Sequence, residues 1–426
     1  MAKNVIRPVK GTRDFYPQIM GLRTWLYEHM RAVSESFGYQ EYEAPMLEAF
    51  DLYAAKSGEE LVEKQSYVFT DRSGDKIALR PELTPSLARM VASKQAQLTF
   101  PLRWWSFGPF WRYERPQKGR LREFFQWNID QIGDPSPEAD AELVAIAATF
   151  LKRLGLKSDE VQILVNNRAM IDTEITAMGI SKKQRADVYA WIDRKDKMEQ
   201  DKWVVDGDAI GLSSMQISGI EKLIVDQDVW QHSKDMVRFF KAIEAYGVSE
   251  YVRFAPHIIR GLLYYTGTVF EAWDTAGEFR AIFGGGRYDN LVGDVGGQPV
   301  GAVGFAVGDV VIGLLVEQLG RLPSFARTPA DIYVTVFSEA QRYASLKLAS
   351  ELRADGYRVT NELDPSQKLG KQFKYADRIG ARIALVLGPD EASNNQVAVK
   401  NLANGNQETI ARSALNTILD RMLESQ

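Results

Sequence analysis

The sequence predicts an α+β fold in which an antiparallel sheet domain carries a helical insertion and is followed by a separate α/β domain. Three observations predict it. Residues 102–132 read as one long hairpin with aromatic residues on both arms, and 262–290 read as further strands, without the regular strand–helix alternation of a parallel sheet. Residues 170–248 are richer in helix formers and charge, and they interrupt the strand-bearing parts. After the turn-forming stretch 322–329 the pattern changes to strand, helix, strand, helix and strand over 331–388. The chain therefore divides into a sheet domain in two parts, 1–169 and 249–325, an insertion at 170–248 and a C-terminal domain at 328–426.

Taken in order, the first helix is expected over 21–37. Leu22, Leu26, Met30, Val33 and Phe37 mark one face, and Gly38 suits a left-handed stop. A second helix is expected from Thr84-Pro85, read as a cap residue followed by proline at the first helical position. The hairpin carries Trp104, Trp105, Phe107, Phe110 and Trp111 on one arm and Phe124, Phe125 and Trp127 on the other, joined by the polar run Arg115-Pro116-Gln117-Lys118-Gly119-Arg120. A third helix is expected over 138–154, ended by Gly155. Gly284-Gly285-Gly286 reads as a break among the later strands, and Gly304 to Gly308 leads into a helix ending near Gly320.

Composition narrows the function classes. Hydrophobic residues are 45% and charged residues 25%, which excludes a disordered or collagen-like chain. No apolar run approaches the roughly 20 residues of a membrane-spanning helix, and no apolar core follows the N-terminal charge, so a cytoplasmic protein is expected. With Cys 0 there is no disulfide, thiol nucleophile or cysteine metal site. His29, His232 and His257 lie far apart in sequence, so no resident metal site is expected. Lys+Arg 52 against Asp+Glu 56 gives a net charge of −4, which disfavours indiscriminate coating of nucleic acid yet permits a local basic patch.

Strand alternation places Arg112 and Glu114 on one face of the first arm, and Phe124, Gln126, Asn128 and Asp130 on one face of the second. If the faces coincide, an arginine, carboxylates, an amide and an aromatic plate surround one patch suited to a small zwitterion and a nucleotide. A solvated face held by cross-strand ion pairs fits the same pattern equally well. Glu82 and Thr84 precede a helix start, where they serve as dipole partner and cap or as acceptors for a substrate ammonium. No Walker or Rossmann motif is present. In the last domain Lys368, Lys371, Lys374, Arg378 and Arg382 recur every three or four residues, as on a solvated helix face or on an RNA-docking helix.

Taken together these segments resemble the histidyl-tRNA synthetases, class II aminoacyl-tRNA synthetases, along nearly the whole chain. Lys10-Gly11-Thr12-Arg13-Asp14-Phe15 resembles the family's opening signature, and Phe37-Gly38-Tyr39 through Pro45 resembles motif 1, a dimer-interface element. Phe110 to Gln126 is similar to motif 2. Arg260-Gly261-Leu262-Leu263-Tyr264-Tyr265-Thr266 and Gly285-Gly286-Arg287-Tyr288-Asp289 resemble segments specific to the histidine enzyme. The implied fold is a class II synthetase-type antiparallel sheet catalytic domain with a helical insertion, followed by an α/β anticodon-binding domain. The implied activity is ATP-dependent formation of histidyl-adenylate and transfer to tRNA(His), by a homodimer, with Mg²⁺ accompanying ATP.

The resemblance also implies roles. Arg112 would hold the α-phosphate and the substrate carboxylate, Phe124 would stack on adenine, Arg120 would meet the outer phosphates, and Glu114 would belong to the same ATP site. Glu82, Thr84 and Gln126 would bind the histidine amino group. Asp130 and Tyr265 would read the imidazole, with Tyr288 lining that pocket. Arg260 would stabilise charge on the α-phosphate. Arg115 and Gln117 would face the tRNA acceptor end, and Lys368, Lys371 and Lys374 would contact tRNA. The sequence departs from the family at three places: Asp130 stands where many members have glutamate, Leu263 where aspartate is usual, and Val311 where motif 3 supplies an arginine for the ATP γ-phosphate. The rival expectation is a catalytically silent paralogue that senses histidine as a regulatory subunit.

Overall fold

A computed structural model describes residues 5–54, 65–195, 198–258, 264–325 and 328–424. The chain forms two compact units, Met1–Pro323 and Ser324–Gln426. No described helix is long and apolar enough to cross a membrane.

In the first unit the short strands β1 (Gln40–Glu41), β2 (Leu47–Ala49), β3 (Tyr67–Thr70) and β4 (Lys76–Leu79) precede the long hairpin of β5 (Leu102–Trp111) and β6 (Glu123–Ile132). Strand β7 (Val161–Asn167) follows. Beyond a helical stretch come β8 (Val252–Phe254), β9 (Thr268–Asp274), β10 (Phe283–Tyr288) and β11 (Ala302–Gly308). Eight strands form one sheet in the order β1-β5-β6-β11-β10-β9-β7-β8. The outer pairs β1–β5 and β7–β8 are parallel, and the rest are antiparallel. Strands β2, β4 and β3 make a small antiparallel sheet of their own.

One face of the large sheet is dry. Trp105, Trp127 and Ile129 enter a core shared with the helices Pro17–Ser36, Pro137–Arg153 and Asp309–Gln318. Helix Pro137–Arg153 is buried along most of its length, as its run of alanine, valine, isoleucine and leucine requires. Ser136 caps it by accepting from the Ala139 backbone at 3.3 Å. The buried Trp127 indole donates to Ser34 Oγ at 3.1 Å, which satisfies a polar atom deep in this core. The helices over 168–245 share the same core through Met170, Ile171, Trp191, Met236 and Phe239. The stretch 170–248 is thus helical and packed into the first unit.

Four local expectations change. The first helix begins at Pro17 with Tyr16 at its N-cap, about one turn early, because proline's fixed φ suits the first turn. Thr84 is the first helical residue, and Leu83 stands at the N-cap. Strand β5 ends at Trp111, so Arg112 and Glu114 lie beyond it. Gly284, Gly285 and Gly286 lie inside β10 and do not break it.

The second unit holds β12 (Ile332–Val334), β13 (Val359–Asn361), β14 (Ile383–Val386), β15 (Gln396–Asn401) and β16 (Gln407–Ala411), in the order β13-β12-β14-β15-β16. Strand β12 is parallel to β13 and β14, and an antiparallel hairpin of β15 and β16 extends the edge. Leu348 and Leu352 on one helix and Leu415 and Leu419 on another cover the strands' apolar residues.

At Gly285 and Gly286 of β10, neighbours occupy the space of a side chain. A Cβ on Gly285 would collide with the Gly304 carbonyl and stand 2.8 Å from the Phe270 ring. Gly285→Ala should therefore cost about 1–3 kcal/mol of stability, as overpacking does. Urea unfolding monitored by tryptophan fluorescence checks this, and an unchanged midpoint would contradict the packing described.

Candidate active site

Register builds the site on the sheet's other face. Trp104, Ser106, Gly108 and Phe110 of β5 pair with Asp130, Asn128, Gln126 and Phe124 of β6. Gly304, Ala306 and Gly308 of β11 continue the Asp130, Asn128 and Gln126 rows. Gly286 of β10 faces Gly304. The floor is polar on β6 and nearly bare on β10 and β11.

That bareness makes a pocket. A side chain at Gly304 would collide with the Asp130 carboxyl, and one at Gly286 would lie 2.8 Å from the Tyr265 ring and 2.7 Å from the Thr268 carbonyl. Asp130 is 3% exposed and accepts from the Tyr288 hydroxyl at 2.6 Å. Burial pushes its carboxyl up to about 7, and the Tyr288 hydrogen bond opposes that shift. Tyr265 and Tyr288 share a buried cluster with Leu87 and Ala88 of the helix Thr84–Lys94. Arg287 is structural: it pairs with buried Asp140 at 2.6 Å and donates to the Asp134 and Ser136 carbonyls, fixing β10 to the start of the helix Pro137–Arg153.

At the other end of β6, Phe124 packs on Phe110 with ring centroids 6.0 Å apart, and the Arg112 guanidinium lies 5.3 Å from the Phe124 centroid. Arg112 Nε donates to the Pro81 carbonyl at 2.9 Å, which ties it to the segment carrying buried Glu82 and, at the helix start, Thr84. Glu114 does not share a strand face with Arg112. It turns into the β5–β6 connection and accepts from Arg120 Nη2 at 2.6 Å. Arg115 and Gln117 are exposed on that connection, which a Gln117–Arg120 bridge closes. The Gly11 carbonyl accepts from the Arg122 and Glu123 backbones, so the N-terminal segment braces the connection's base.

Val311 is buried, and a Cβ on Gly119 would sit 3.4 Å from it, so the tip of the connection covers the position where an arginine was expected. The adjacent Asp309 accepts from Arg13 Nη2 at 2.6 Å and from the Phe125 backbone at 2.9 Å. Another guanidinium lies within electrostatic range of Arg112 and Arg120. Arg280 lies in the turn between β9 and β10, whose Phe279 ring lies 4.9 Å from Lys118 Nζ of the connection. Partial burial and then the like charge of Arg120 push Arg280 below the ordinary arginine value, with Glu114 opposing and Arg112 adding to the shift. Arg120 is paired with Glu114, and Arg112 and Arg280 lie within electrostatic range of that pair. Arg260 and Leu263 lie outside the described residues.

In the second unit Lys368, Lys371, Lys374 and Arg378 are exposed along the helix Leu369–Arg378 and its N-cap. The opposite side is fixed by Gln372, which exchanges hydrogen bonds of 2.8 and 3.0 Å with the Val336 backbone. Arg382 does not belong to the stripe. It lies past the helix and donates to the Met422 and Leu423 carbonyls, closing the C-terminal helix.

Sequence reasoning missed Arg280 and Tyr42, and it did not single out Asn128 from its neighbours. Arg280 carries no motif of its own. Tyr42 reaches this face only through the parallel pairing of β1 with β5, which no sequence period announces.

Comparison with known proteins agrees with this arrangement. Residues 11–309 match the family model described as histidyl-tRNA synthetase, and residues 331–422 match the anticodon binding domain model. A histidine–tRNA ligase of Thermoplasma volcanium is 38% identical over 429 residues, covering 98% of this chain and 99% of the relative. One of Opitutus terrae is 36% identical over 425 residues, covering 96% and 97%. The crystal structure of histidyl-tRNA synthetase from Nostoc sp. PCC 7120 superposes with a TM-score of 0.79 at 26% identity, covering 98% of this chain and 99% of that one. With a glycine-floored pocket, an arginine-rich connection and a family model spanning the whole sheet unit, the chain belongs to the histidyl-tRNA synthetase family.

Proposed function

We propose that this chain activates histidine with ATP and transfers it to the 3′ end of tRNA(His). The observation that carries this reading is Asp130, a buried carboxylate above a glycine floor, on the same sheet face as Gln126 and Phe124, with Arg112 against the Phe124 ring. The histidine carboxylate attacks the ATP α-phosphorus, an oxygen–phosphorus bond forms, and pyrophosphate leaves with the electrons of the broken bond. The terminal ribose hydroxyl of tRNA then attacks the adenylate carbonyl and AMP leaves. No side-chain nucleophile is needed, because positioning and charge stabilisation lower both barriers.

Position and the family resemblance together support the roles, and that of Arg260, outside the described residues, rests on the resemblance alone. Glu82, Thr84 and Gln126 take the amino group, and Asp130 accepts a ring N–H with Tyr265 and Tyr288 closing the pocket. Phe124 supports adenine. Arg112 and Arg260 meet the α-phosphate, and Arg120 and Arg280 meet the outer phosphates. Mg²⁺ arriving with ATP would neutralise those phosphates, and Glu114 is the carboxylate beside the arginines that could hold it. Arg115 and Gln117 face the acceptor end, while Lys368, Lys371 and Lys374 contact tRNA. A homodimer is supported by Met46, Leu47, Val68 and Phe69, large apolar side chains exposed on and beside the small sheet that follows the motif 1-like segment. Action in the cytoplasm fits a tRNA substrate. A silent histidine sensor is disfavoured, because ligase relatives cover both units and Arg280 offers a cation where Val311 cannot.

Histidine-dependent ATP–pyrophosphate exchange tests the reading, and its absence in the intact protein would overturn it. Arg280→Ala should raise the KM for ATP roughly ten- to a hundredfold, the range of one charge-assisted hydrogen bond, and leave the KM for histidine unchanged.

Replacing Lys371 and Lys374 together should raise the tRNA KM and flatten its salt dependence, by about one log unit of slope for each phosphate no longer neutralised. Aminoacylation across a salt series checks this, and an unchanged slope would make the stripe an ordinary solvated face.

Asp130 also predicts a pH effect. Its folded-state value of about 7 lies above that of the unfolded chain, so the folded form binds the extra proton. Stability from this group is fully present below roughly pH 4 and is lost as pH rises through about 7. Asp130→Asn should remove that part of the decline, which urea unfolding at stepped pH would measure.

A further inference from the structure

The row between Gln126 and Asp130 has no role in the proposed chemistry, and it is the place where the pocket's polar atoms are incomplete. Tyr42 follows β1 directly, and its backbone N–H donates to the Trp105 carbonyl at 2.8 Å, so the β1–β5 register carries on and sets Tyr42 level with Ser106. Ser106 pairs with Asn128, and Asn128 with Ala306. Tyr42, Ser106, Asn128 and Ala306 therefore form one row across four chain segments. Rows on one face repeat roughly every 6.6 Å, so this row lies under the middle of any ligand reaching from Gln126 to Asp130.

Two atoms in the row are buried without a hydrogen-bond partner among the described residues, Tyr42 Oη and Asn128 Nδ2. Asn128 is 4% exposed. Tyr42 leans on Trp104 with ring centroids 5.5 Å apart, and it packs both on the cluster holding Tyr265 and Tyr288 and on the one holding Leu83 and Phe110. It therefore stands where the imidazole and adenine ends of the site meet. Burial holds the Tyr42 hydroxyl protonated well above the ordinary tyrosine range, with the Asp130 carboxylate adding to that effect. Both orphaned groups are thus hydrogen-bond donors near the buried Asp130 acceptor. Two unpaired buried donors on one row are costly unless a ligand completes them.

We propose that Tyr42 and Asn128 are specificity-determining residues whose donors find their partners when histidine binds, Tyr42 on the imidazole and Asn128 on the Tyr42 hydroxyl. This rests on the reading of the site as a histidine pocket. Asp130 accepts the ring N–H from one side; on the other, the unprotonated ring nitrogen accepts from the Tyr42 hydroxyl, whose oxygen in turn accepts from the Asn128 amide, with Tyr265 closing the pocket. A neutral imidazole has one donor and one acceptor, and this arrangement matches both. An apolar ring of the same size would leave the Tyr42 donor buried and unpaired, so selectivity comes from the floor as well as from Asp130.

The test is Tyr42→Phe and Asn128→Leu, each in the full-length protein. Each should raise the histidine KM in ATP–pyrophosphate exchange about tenfold, the cost of removing one buried hydrogen bond, while the KM for ATP stays unchanged. Without histidine the Tyr42→Phe protein should melt no lower than the parent, because an unpaired buried hydroxyl has been removed, yet histidine should raise its melting temperature less. A purely structural Tyr42 would give the opposite, a lower melting temperature with an unchanged histidine response. If both variants keep the parental histidine KM and thermal response, the two residues are packing elements and the proposal fails alone. If the parent itself shows no histidine-dependent exchange or stabilisation, the histidine reading fails and takes this proposal with it.

Discussion

The site depends on a strip of sheet with no side chains. Asp130 projects from β6 across Gly304 of β11, and Tyr265 rests on Gly286 of β10. Any Cβ at Gly304 would occupy the carboxyl's place, and one at Gly286 would displace the tyrosine ring. Because the strip is flat, a carboxylate and two tyrosines can be brought together inside a sheet that is otherwise densely packed. The energetic consequence is a carboxyl removed from water with one hydroxyl donor, which is why it stays protonated to near neutrality.

Two buried carboxylates on neighbouring elements show how this differs from ordinary core satisfaction. Asp140 is also buried and is pushed up to about 6, but it lies 2.6 Å from Arg287, itself held by two backbone carbonyls. That pair is closed: its charges and donors are used within the fold, and its effect is to fix the end of β10 against a helix. Among the described residues Asp130 has no such cation, and two donors near it remain unspent. A paired group speaks for architecture, whereas an open carboxylate with open donors around it speaks for a ligand. The GGRYD-type segment carries both kinds in adjacent residues, Arg287 for structure and Tyr288 for the pocket.

What was legible in the sequence was what local periodicity encodes. The aromatic hairpin, the Phe124–Gln126–Asp130 face and the basic helix around Lys371 each follow from a period of two or of three to four residues, and their residues stand where that period puts them. What was illegible depends on pairing between distant segments. Gly284 to Gly286 reads as a break because glycine is a poor strand former, and only the neighbours Phe270, Gly304 and Tyr265 show why the strand needs it. Arg382 fits the helical period of the stripe, yet it lies past the helix end and serves two carbonyls of another helix. Tyr42 joins the pocket through a two-residue parallel strand, too short to leave a pattern.

Pairing between distant segments also accounts for the surroundings of Val311, where the family pattern has an arginine. A guanidinium there would have to leave the first turn of the helix Asp309–Gln318, where the connection's Gly119 now closes over an apolar side chain. Asp309, one residue into that helix, instead draws Arg13 and the Phe125 amide inward, so the helix start is used to anchor the N-terminal segment. That segment in turn braces the β5–β6 connection through the Gly11 carbonyl. Position 311 has therefore become part of the scaffold that orients Arg112, Glu114 and Arg120. Electrostatics does not require the third cation to come from one particular residue, only that a guanidinium reach the same few ångströms of space. The β9–β10 turn, pinned to the connection at Lys118 and Phe279, places Arg280 in that field. Loss of a motif residue and retention of the chemistry are compatible whenever a second segment is packed against the first.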